Sequence, residues 1–382
     1  MLYPPAGVLI GPARTSGFSG GRRALRDAPS LSAVTEAAGY DLADSSGPFH
    51  ELACGPAPVR RVINRWRVAV AVVLSEADVD RLLDPDALLQ AVRQALVALS
   101  QGQVVQPLRM VMPMADPQAQ QMPTTGDAPG LLFVKPSQVG QALATKLLTL
   151  VPGNAKRGLP TLLATVVLMD PVTGQTLAVM EGAGLTAART AAASAVAADC
   201  FCRPGPQVVA LLGSGVLARS HAHYLRRVRS IQEIRVWSPN PDHARACAQE
   251  IDGQACASAQ EAVLGADIVC TVTHAHTPVL QGAWLKPGAF VAAVGAPRPD
   301  QRELDDAAMS HWVVADQREA AEHESGDVIG SGARVQAELG QVLAGRVAKP
   351  PAGSIVVFKS LGQAVEDAVA ASLVWQAWRA AS

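Results

Sequence analysis

The sequence predicts an α/β fold of two domains, and three observations carry that prediction. The chain has 382 residues, 49% hydrophobic and 17% charged, enough length and apolar content for two packed cores. Short apolar runs of strand length alternate with longer stretches whose apolar residues recur at helical spacing. In one of these, residues 207–225, the run QVVALL stops at Gly213-Ser214-Gly215 and passes into a helical pattern through Ala218.

Residues 1–67 carry eight arginines against five acids, with Pro and Gly scattered without period. Such a segment buries too little apolar surface to offset the entropy of ordering, so a poorly ordered extension is expected. Its Arg- and Ser-rich text fits a transit-type leader, but it lacks a signal-peptide core, which favours a dispensable extension or an over-long start. From residue 68 the pattern is ordered. Residues 68–74 read as a strand, Ser75 as a helix cap ahead of Glu76 and Asp78, and Asp84-Pro85 as a break between two helices. Residues 104–112 alternate like a strand and set Arg109 among apolar neighbours, where it is either a packed surface residue with a buried stem or an anion ligand. Runs 130–135, 144–151 and 162–169 read as strands, with turns at residues 152–154 and 171–174. Lys146 lies inside the second run, where a lysine is costly unless paired or functional. The alanine-rich segment EGAGLTAARTAAASAVAADC reads as a helix that carries Thr186 and Arg189 near its start.

Residues 205–315 form the unit around the glycine turn. Gly213 permits the tight turn, Gly215 lets the backbone approach a phosphate, and Ala218 lets the helix pack close to the strand. The first helix amides, at the positive end of the helix dipole, would face a pyrophosphate. This is the pattern of a Rossmann-type nucleotide-binding domain. Ser238 follows the next strand, where NAD-preferring folds present an acid to the ribose 2′-hydroxyl. No carboxylate there repels a 2′-phosphate and no arginine directly after it clamps one, so either NADPH or NADH is expected, with Ser238, Asn240, His243 and Arg219 as available contacts. Runs 266–273 and 290–295 read as buried strands ending in small or polar residues. His274 and His276 lack a nearby third ligand, so no metal is expected. His221 and His223, two apart on a helix, face different ways. From residue 316 the chain returns to helix and strand, ending with IVVFK, a Ser360-Leu361-Gly362 turn and a closing helix. Order along the chain suggests that residues 316–382 complete the domain begun by residues 68–204.

A net charge of -1 gives no reason to expect nucleic acid or an anionic membrane as partner. Six cysteines show neither C-x-x-C pairs nor zinc-site spacing, so reduced thiols and a cytoplasmic location are expected. No apolar run approaches the roughly 20 residues of a membrane span.

Several segments together resemble the ornithine cyclodeaminase and mu-crystallin family: QPLRMVMP, ATKLLTLVPGNAKRGLPT, GLTAARTAAASAVAA, LLGSGVLARSHAHY, ADIVCTVT, VGAPRPDQRELDDA, ESGDVIGSG and VFKSLGQAVEDAVAA. The resemblance runs from about residue 72 to 378 and is similar to the ketimine reductase branch, which includes Δ1-pyrroline-2-carboxylate and Δ1-piperideine-2-carboxylate reductases. It implies a substrate domain that also forms a homodimer. It places Arg109, Lys146 and Arg189 around the substrate carboxylate and the cofactor, and Thr161, Ser214, Gly215, Val216, Thr273 and Val294 against the cofactor with Gly213. Glu324 and Ser360 fall at the substrate end of the pocket.

Three departures bear on function. Ornithine cyclodeaminases carry a catalytic acid after a Val-Gly-Gly turn, whereas this chain has Val294-Gly295-Ala296-Pro297, and proline transfers no proton. Lys135 stands where the family usually has Met before Pro; it either adds charge to the pocket mouth or points to solvent. Ser238-Pro239-Asn240 replaces the Asn-Arg-Thr of mu-crystallin-like members. The expected reaction is NAD(P)H-dependent reduction of a cyclic imino acid, Δ1-pyrroline-2-carboxylate to L-proline and also Δ1-piperideine-2-carboxylate to L-pipecolate. Arg109 and Arg189 would grip the carboxylate. Lys146 would add charge or relay a proton, Glu324 would balance the iminium, and Ser360 would contact substrate. An alanine-type dehydrogenase, an ornithine cyclodeaminase and a low-turnover ligand-binding protein are the alternatives.

Overall fold

The computed structural model describes residues 71–114 and 130–382; the extension expected over residues 1–67 and the loop at 115–129 lie outside the described residues. Two sheets form. The first contains β1 (Val72–Leu74), β2 (Met110–Pro113), β3 (Leu131–Val139), β4 (Ala142–Leu150), β5 (Leu162–Met169) and β6 (Thr176–Glu181), in the order β1-β6-β5-β4-β3-β2. It is antiparallel except where β1 joins β6. Helices α1 (Glu76–Leu82), α2 (Pro85–Ser100) and α3 (Ala183–Phe201) belong with it. The local signals acted as expected: Ser75 and Asp78 close a capping box on α1, and Asp84 caps α2 with Pro85 in its first turn.

Two local expectations change. The strand anticipated over 104–112 is confined to Met110–Pro113, and Val105 makes only a bridge to Gln138. Pro107 between them has no amide to donate to a ladder. Strand β6 was not anticipated. It returns from β5 through a turn in which the Asp170 carboxylate accepts hydrogen bonds from the Val172 and Thr173 amides.

The faces of the first sheet differ. Phe133, Lys135, Ala144 and Lys146 point to the inner face and are buried. Met110 and Met112, on β2, share the outer face with Leu147 on β4 and Leu163 on β5, through the cross-strand pairs Met110↔Val134↔Leu147 and Met112↔Leu132↔Thr149↔Leu163. All four are 39–55% exposed, a contiguous apolar strip of the kind that marks an association surface.

The second sheet is wholly parallel. Its strands are β7 (Gln207–Leu212), β8 (Ile231–Trp237), β9 (Gln254–Ala255), β10 (Ile268–Thr271), β11 (Phe290–Ala293), β12 (Trp312–Ala315), β13 (Ala337–Glu338) and β14 (Val356–Lys359). They run β13-β12-β14-β11-β10-β7-β8-β9. The connecting helices are α4 (Val216–Val228), α5 (Pro241–Glu250), α6 (Ala259–Val263), α7 (Asp306–Met309), α8 (Arg318–Glu324), α9 (Gly326–Ser331) and α10 (Leu339–Leu343). The order reverses between β7 and β10, the switch point of a Rossmann-type sheet.

Strand order corrects the expected domain division. Strands β13 and β14 belong to the second sheet, with β14 seated between β11 and β12, although they follow residue 315. All four residues of β14 are buried, as a central parallel strand covered on both faces requires. Only the last helix, α11 (Ala364–Ala381), returns to the inner face of the first sheet. Helix α3 lies against α4, and the buried His221 ring on α4 contacts the Ser194 hydroxyl on α3 at 2.9 Å. Every residue of α3 from Ala191 to Ala198 is buried, and all but Ser194 and Val196 are alanine, which keeps the helices close. No helix among the described residues is long and apolar enough to cross a membrane.

Candidate active site

The inner face of the first sheet meets the C-terminal ends of β10, β11 and β14 across a cavity of about 170 Å³. Of the residues expected at the site, it brings together Arg109, Lys146, Arg189, Thr273, Val294 and Ser360. Lys135 joins them.

One wall is charged. Lys146 on β4 donates to Asp367 Oδ1 at 2.7 Å and to Thr186 Oγ1 at 3.3 Å. Arg189 on α3 donates through Nε to the same Asp367 oxygen at 2.7 Å and through Nη1 to Glu366 at 2.9 Å. Glu366 and Asp367 occupy the first turn of α11, where the helix dipole favours carboxylates. Burial and the neighbouring Arg189 push the Lys146 ammonium well below its ordinary range, against the pull of Asp367. Asp367, despite its burial, is held down to about 2 by Arg189, Lys146 and Lys135, while burial pushes Glu366 up to about 7.

Lys135 is not at the solvent. It is 7% exposed, donates to the Gly362 carbonyl, and lies 3.9 Å from the other Asp367 oxygen. Burial lowers its ammonium to about 8. Gly362 itself sits at φ 70°, and a Cβ there would collide with Arg189 Nη1, so only glycine admits the guanidinium.

Arg109 reaches the cavity from the segment just before β2. It donates to the Pro297 carbonyl at 2.7 Å and pairs with Glu324. Glu324, at the end of α8, stands behind Arg109 and does not line this cavity. Burial raises its carboxyl and Arg109 opposes that rise. Ser360 is 1% exposed and its hydroxyl has no partner among the described residues, leaving it free for a ligand. The Ser360–Gln363 turn is held by Asp316, which accepts from the Leu361 and Gly362 amides at 2.6 and 2.8 Å and from the Gln363 side chain at 3.0 Å.

The opposite wall sets Val272, Val294 and Leu361 beside the polar Thr273, His274, Arg298 and Gln301. Thr273 lies two residues past β10 and Val294 directly follows β11, and beneath them lies a second buried network. Lys359 pairs with Asp327 at 2.9 Å and donates to the Gly295 carbonyl. Asp327 accepts from the Glu303 and Leu304 amides. Glu303 takes the Thr273 amide at 2.6 Å and the Thr271 hydroxyl at 2.8 Å. These contacts hold the strand ends that face the cavity.

The glycine turn fits a dinucleotide. Gly213 is at φ 122° and a Cβ there would meet the Val272 carbonyl at 2.8 Å, whereas beside Gly215 the space is open. No side chain caps α4, which begins at Val216, so its first amides are free for a pyrophosphate. Arg219 donates to the Ser214 carbonyl at 2.7 Å and pairs with Glu250. Ser238 follows β8 directly, as expected. The Asn240 side-chain oxygen accepts from the Asp242 and His243 amides as the cap of α5. Ser214, Gly215, Val216, Ser238 and Asn240 lie outside the cavity lining, as does Thr161, whose carbonyl accepts from the Val151 amide just ahead of β5. Among the described residues no group of three His, Cys, Asp or Glu side chains could hold a metal.

Sequence reasoning passed over Glu366, Asp367, Asp316, Glu303, Asp327 and Lys359. A signal existed for the first two: adjacent acids opening an otherwise Ala- and Val-rich helix are costly to bury unless a cation meets them.

The likenesses follow this architecture. The chain is 44% identical over 319 residues to the ketimine reductase mu-crystallin of Mus musculus, covering 81% of this chain and 98% of the relative. It is 32% identical over 321 residues to a Δ1-pyrroline-2-carboxylate reductase of Bacillus cereus, covering 80% and 96%. The solved Thermococcus litoralis Δ1-pyrroline-2-carboxylate reductase in complex with NADH and L-proline is similar with a TM-score of 0.74 and 32% identity, over 81% of this chain and 98% of that one. The pattern of the ornithine cyclodeaminase/mu-crystallin family matches residues 69–382, the two sheets and the cavity between them included, and the chain belongs to that family.

Proposed function

We propose that this chain reduces cyclic imino acids with NADPH or NADH, Δ1-pyrroline-2-carboxylate to L-proline and Δ1-piperideine-2-carboxylate to L-pipecolate. The observation that carries the reading is the charged wall, where Lys146 and Arg189 share Asp367 at 2.7 Å each, opposite strand ends that suit a nicotinamide. The bound nicotinamide would supply hydride to the imine carbon. Arg109 and Arg189 hold the substrate carboxylate, Arg109 by releasing part of its contact with Glu324. Lys146 delivers the proton to the ring nitrogen: one C–H and one N–H bond form, and the C=N bond is reduced by two electrons. Its lowered proton affinity suits that transfer. Ser360 orients the ring through its free hydroxyl. Ser238, with no acid at the strand end, accepts either cofactor. Pro297 leaves the turn without the acid that ornithine cyclisation uses.

The apolar outer strip at Met110, Met112, Leu147 and Leu163 supports a homodimer joined through the first sheet. Free thiols at all five described cysteines are consistent with a cytoplasmic location. A steady-state assay tests the reaction. Oxidation of NAD(P)H is expected with either cyclic imine, and none with both imines and both cofactors across the neutral pH range would overturn the proposal.

A further inference from the structure

Among the described residues, two that line the cavity carry a buried polar atom with no hydrogen-bond partner. One is Ser360, whose hydroxyl is given to the substrate above. The other is Gln301, 4% exposed, with its Oε1 sealed and unpartnered. A buried carboxamide left in that state is expensive unless a ligand completes it.

Sheet topology says which part of a dinucleotide lies beside Gln301. The strand order β9-β8-β7-β10-β11-β14 reverses next to β7, and a dinucleotide spans such a reversal. With the pyrophosphate at the first amides of α4 and the adenosine towards Ser238 after β8, the nicotinamide falls over β10 and β11. Residues 301–303 cross the ends of those two strands. The Arg302 amide donates to the Ala275 carbonyl at 3.0 Å, and Glu303 accepts from the Thr271 hydroxyl at 2.8 Å and the Thr273 amide at 2.6 Å. A Cβ on Gly295, just past β11, would collide with the same Glu303 carboxyl.

A nicotinamide has one polar substituent, a carboxamide with two N–H donors and a carbonyl oxygen. A glutamine side chain offers the complementary acceptor and donor. The other polar side chains of this wall are less suited. Thr273 Oγ1 accepts from the Ala275 amide at 3.1 Å, Arg298 is paired with Asp300, and His274 is exposed. We propose that Gln301 binds the carboxamide of the nicotinamide, its Oε1 accepting an N–H and its Nε2 donating to the carbonyl. The contact stops the ring turning about its bond to the ribose, and so fixes which face meets the imine. The inference rests on the nicotinamide cofactor of the reading above and not on the imine.

Titration calorimetry on the full-length chain compares three ligands: NADP, its 3-acetylpyridine analogue, in which methyl replaces the carboxamide NH2, and 2′-phospho-ADP-ribose, which has no base. Their counterparts without the 2′-phosphate are run beside them. The unaltered chain should bind the carboxamide form about tenfold more tightly than the acetyl form, the effect of losing one hydrogen bond with its acceptor left unpaired. Gln301→Leu, and equally Gln301→Met, should bring the two affinities to within about twofold of each other. Both variants should bind 2′-phospho-ADP-ribose as the unaltered chain does, a result that a loosened fold does not give. Equal affinities in the unaltered chain, a preference that survives both Gln301 variants, or one lost instead in His274→Ala each overturns the proposal. Turnover of the cyclic imines is measured in parallel. Carboxamide preference without turnover removes the reductase reading and leaves Gln301 in its role; turnover without that preference does the reverse.

Discussion

The two walls of the cavity solve the same problem differently. On the first-sheet wall, charge faces the ligand space: Lys135, Lys146 and Arg189 crowd around Asp367 and Glu366. On the second-sheet wall, charge is just as deeply buried in Lys359, Asp327 and Glu303, but it turns away and directs its hydrogen bonds to the Gly295 carbonyl and the Thr273, Glu303 and Leu304 amides. One wall turns its buried charges towards the ligand space; the other uses them to fix the strand ends that face it. A site that must grip a carboxylate and present it to a flat ring needs both.

The largest effect should come from breaking the charged wall. Asp367→Ala strips Lys146 and Arg189 of their shared partner and should cost about 3–5 kcal/mol of stability, read by denaturant unfolding. A loss below about 1 kcal/mol would mean that the wall is far wetter than its burial indicates. Arg109→Met should lower kcat/KM about 10- to 100-fold, mainly through KM, with cofactor binding by fluorescence titration unaltered; failure of cofactor binding would assign Arg109 to the nucleotide instead.

Gly362→Ala follows, destabilising by about 1–2 kcal/mol through its positive φ and by displacing Arg189. Acid should weaken the same wall. The Asp367 carboxyl is lowered from 3.8 to about 2, so its stabilisation is fully present above the unfolded value and is lost as pH falls from 3.8 towards 2. The stability gap between the unaltered chain and Asp367→Asn should therefore shrink across that interval; a constant gap would contradict the shift. The smallest change tests the end of β8, outside the cavity. Ser238→Asp should move cofactor preference towards NADH by about tenfold, measured as the ratio of kcat/KM with the two cofactors.

Much of the fold was legible because its signals are local. The capping box at Ser75, the Asp84-Pro85 break and the glycine turn at Gly213 act over three or four residues, and each appears where the sequence placed it. Arg109, Lys146 and Arg189 stood out because a cation among apolar neighbours calls for a partner. Which partner each takes was not legible. Glu324 reads as the counter-charge of an iminium, yet it stands behind Arg109. Lys135 was open between pocket and solvent, since only β3–β4 pairing and the arrival of α11 enclose it.

By itself, the sequence determined the period of most segments, the caps and turns that end them, and the place of Ser238 directly after a strand, all consequences of short-range sterics and hydrogen bonding. Tertiary structure decided that β14 joins the second sheet and that Asp367 meets Lys146 and Arg189, 221 and 178 residues away in the chain. The reason is physical: a buried charge states that it needs an opposite one, but the dehydrated contact forms only where packing brings the two together, and no spacing along the chain encodes that distance.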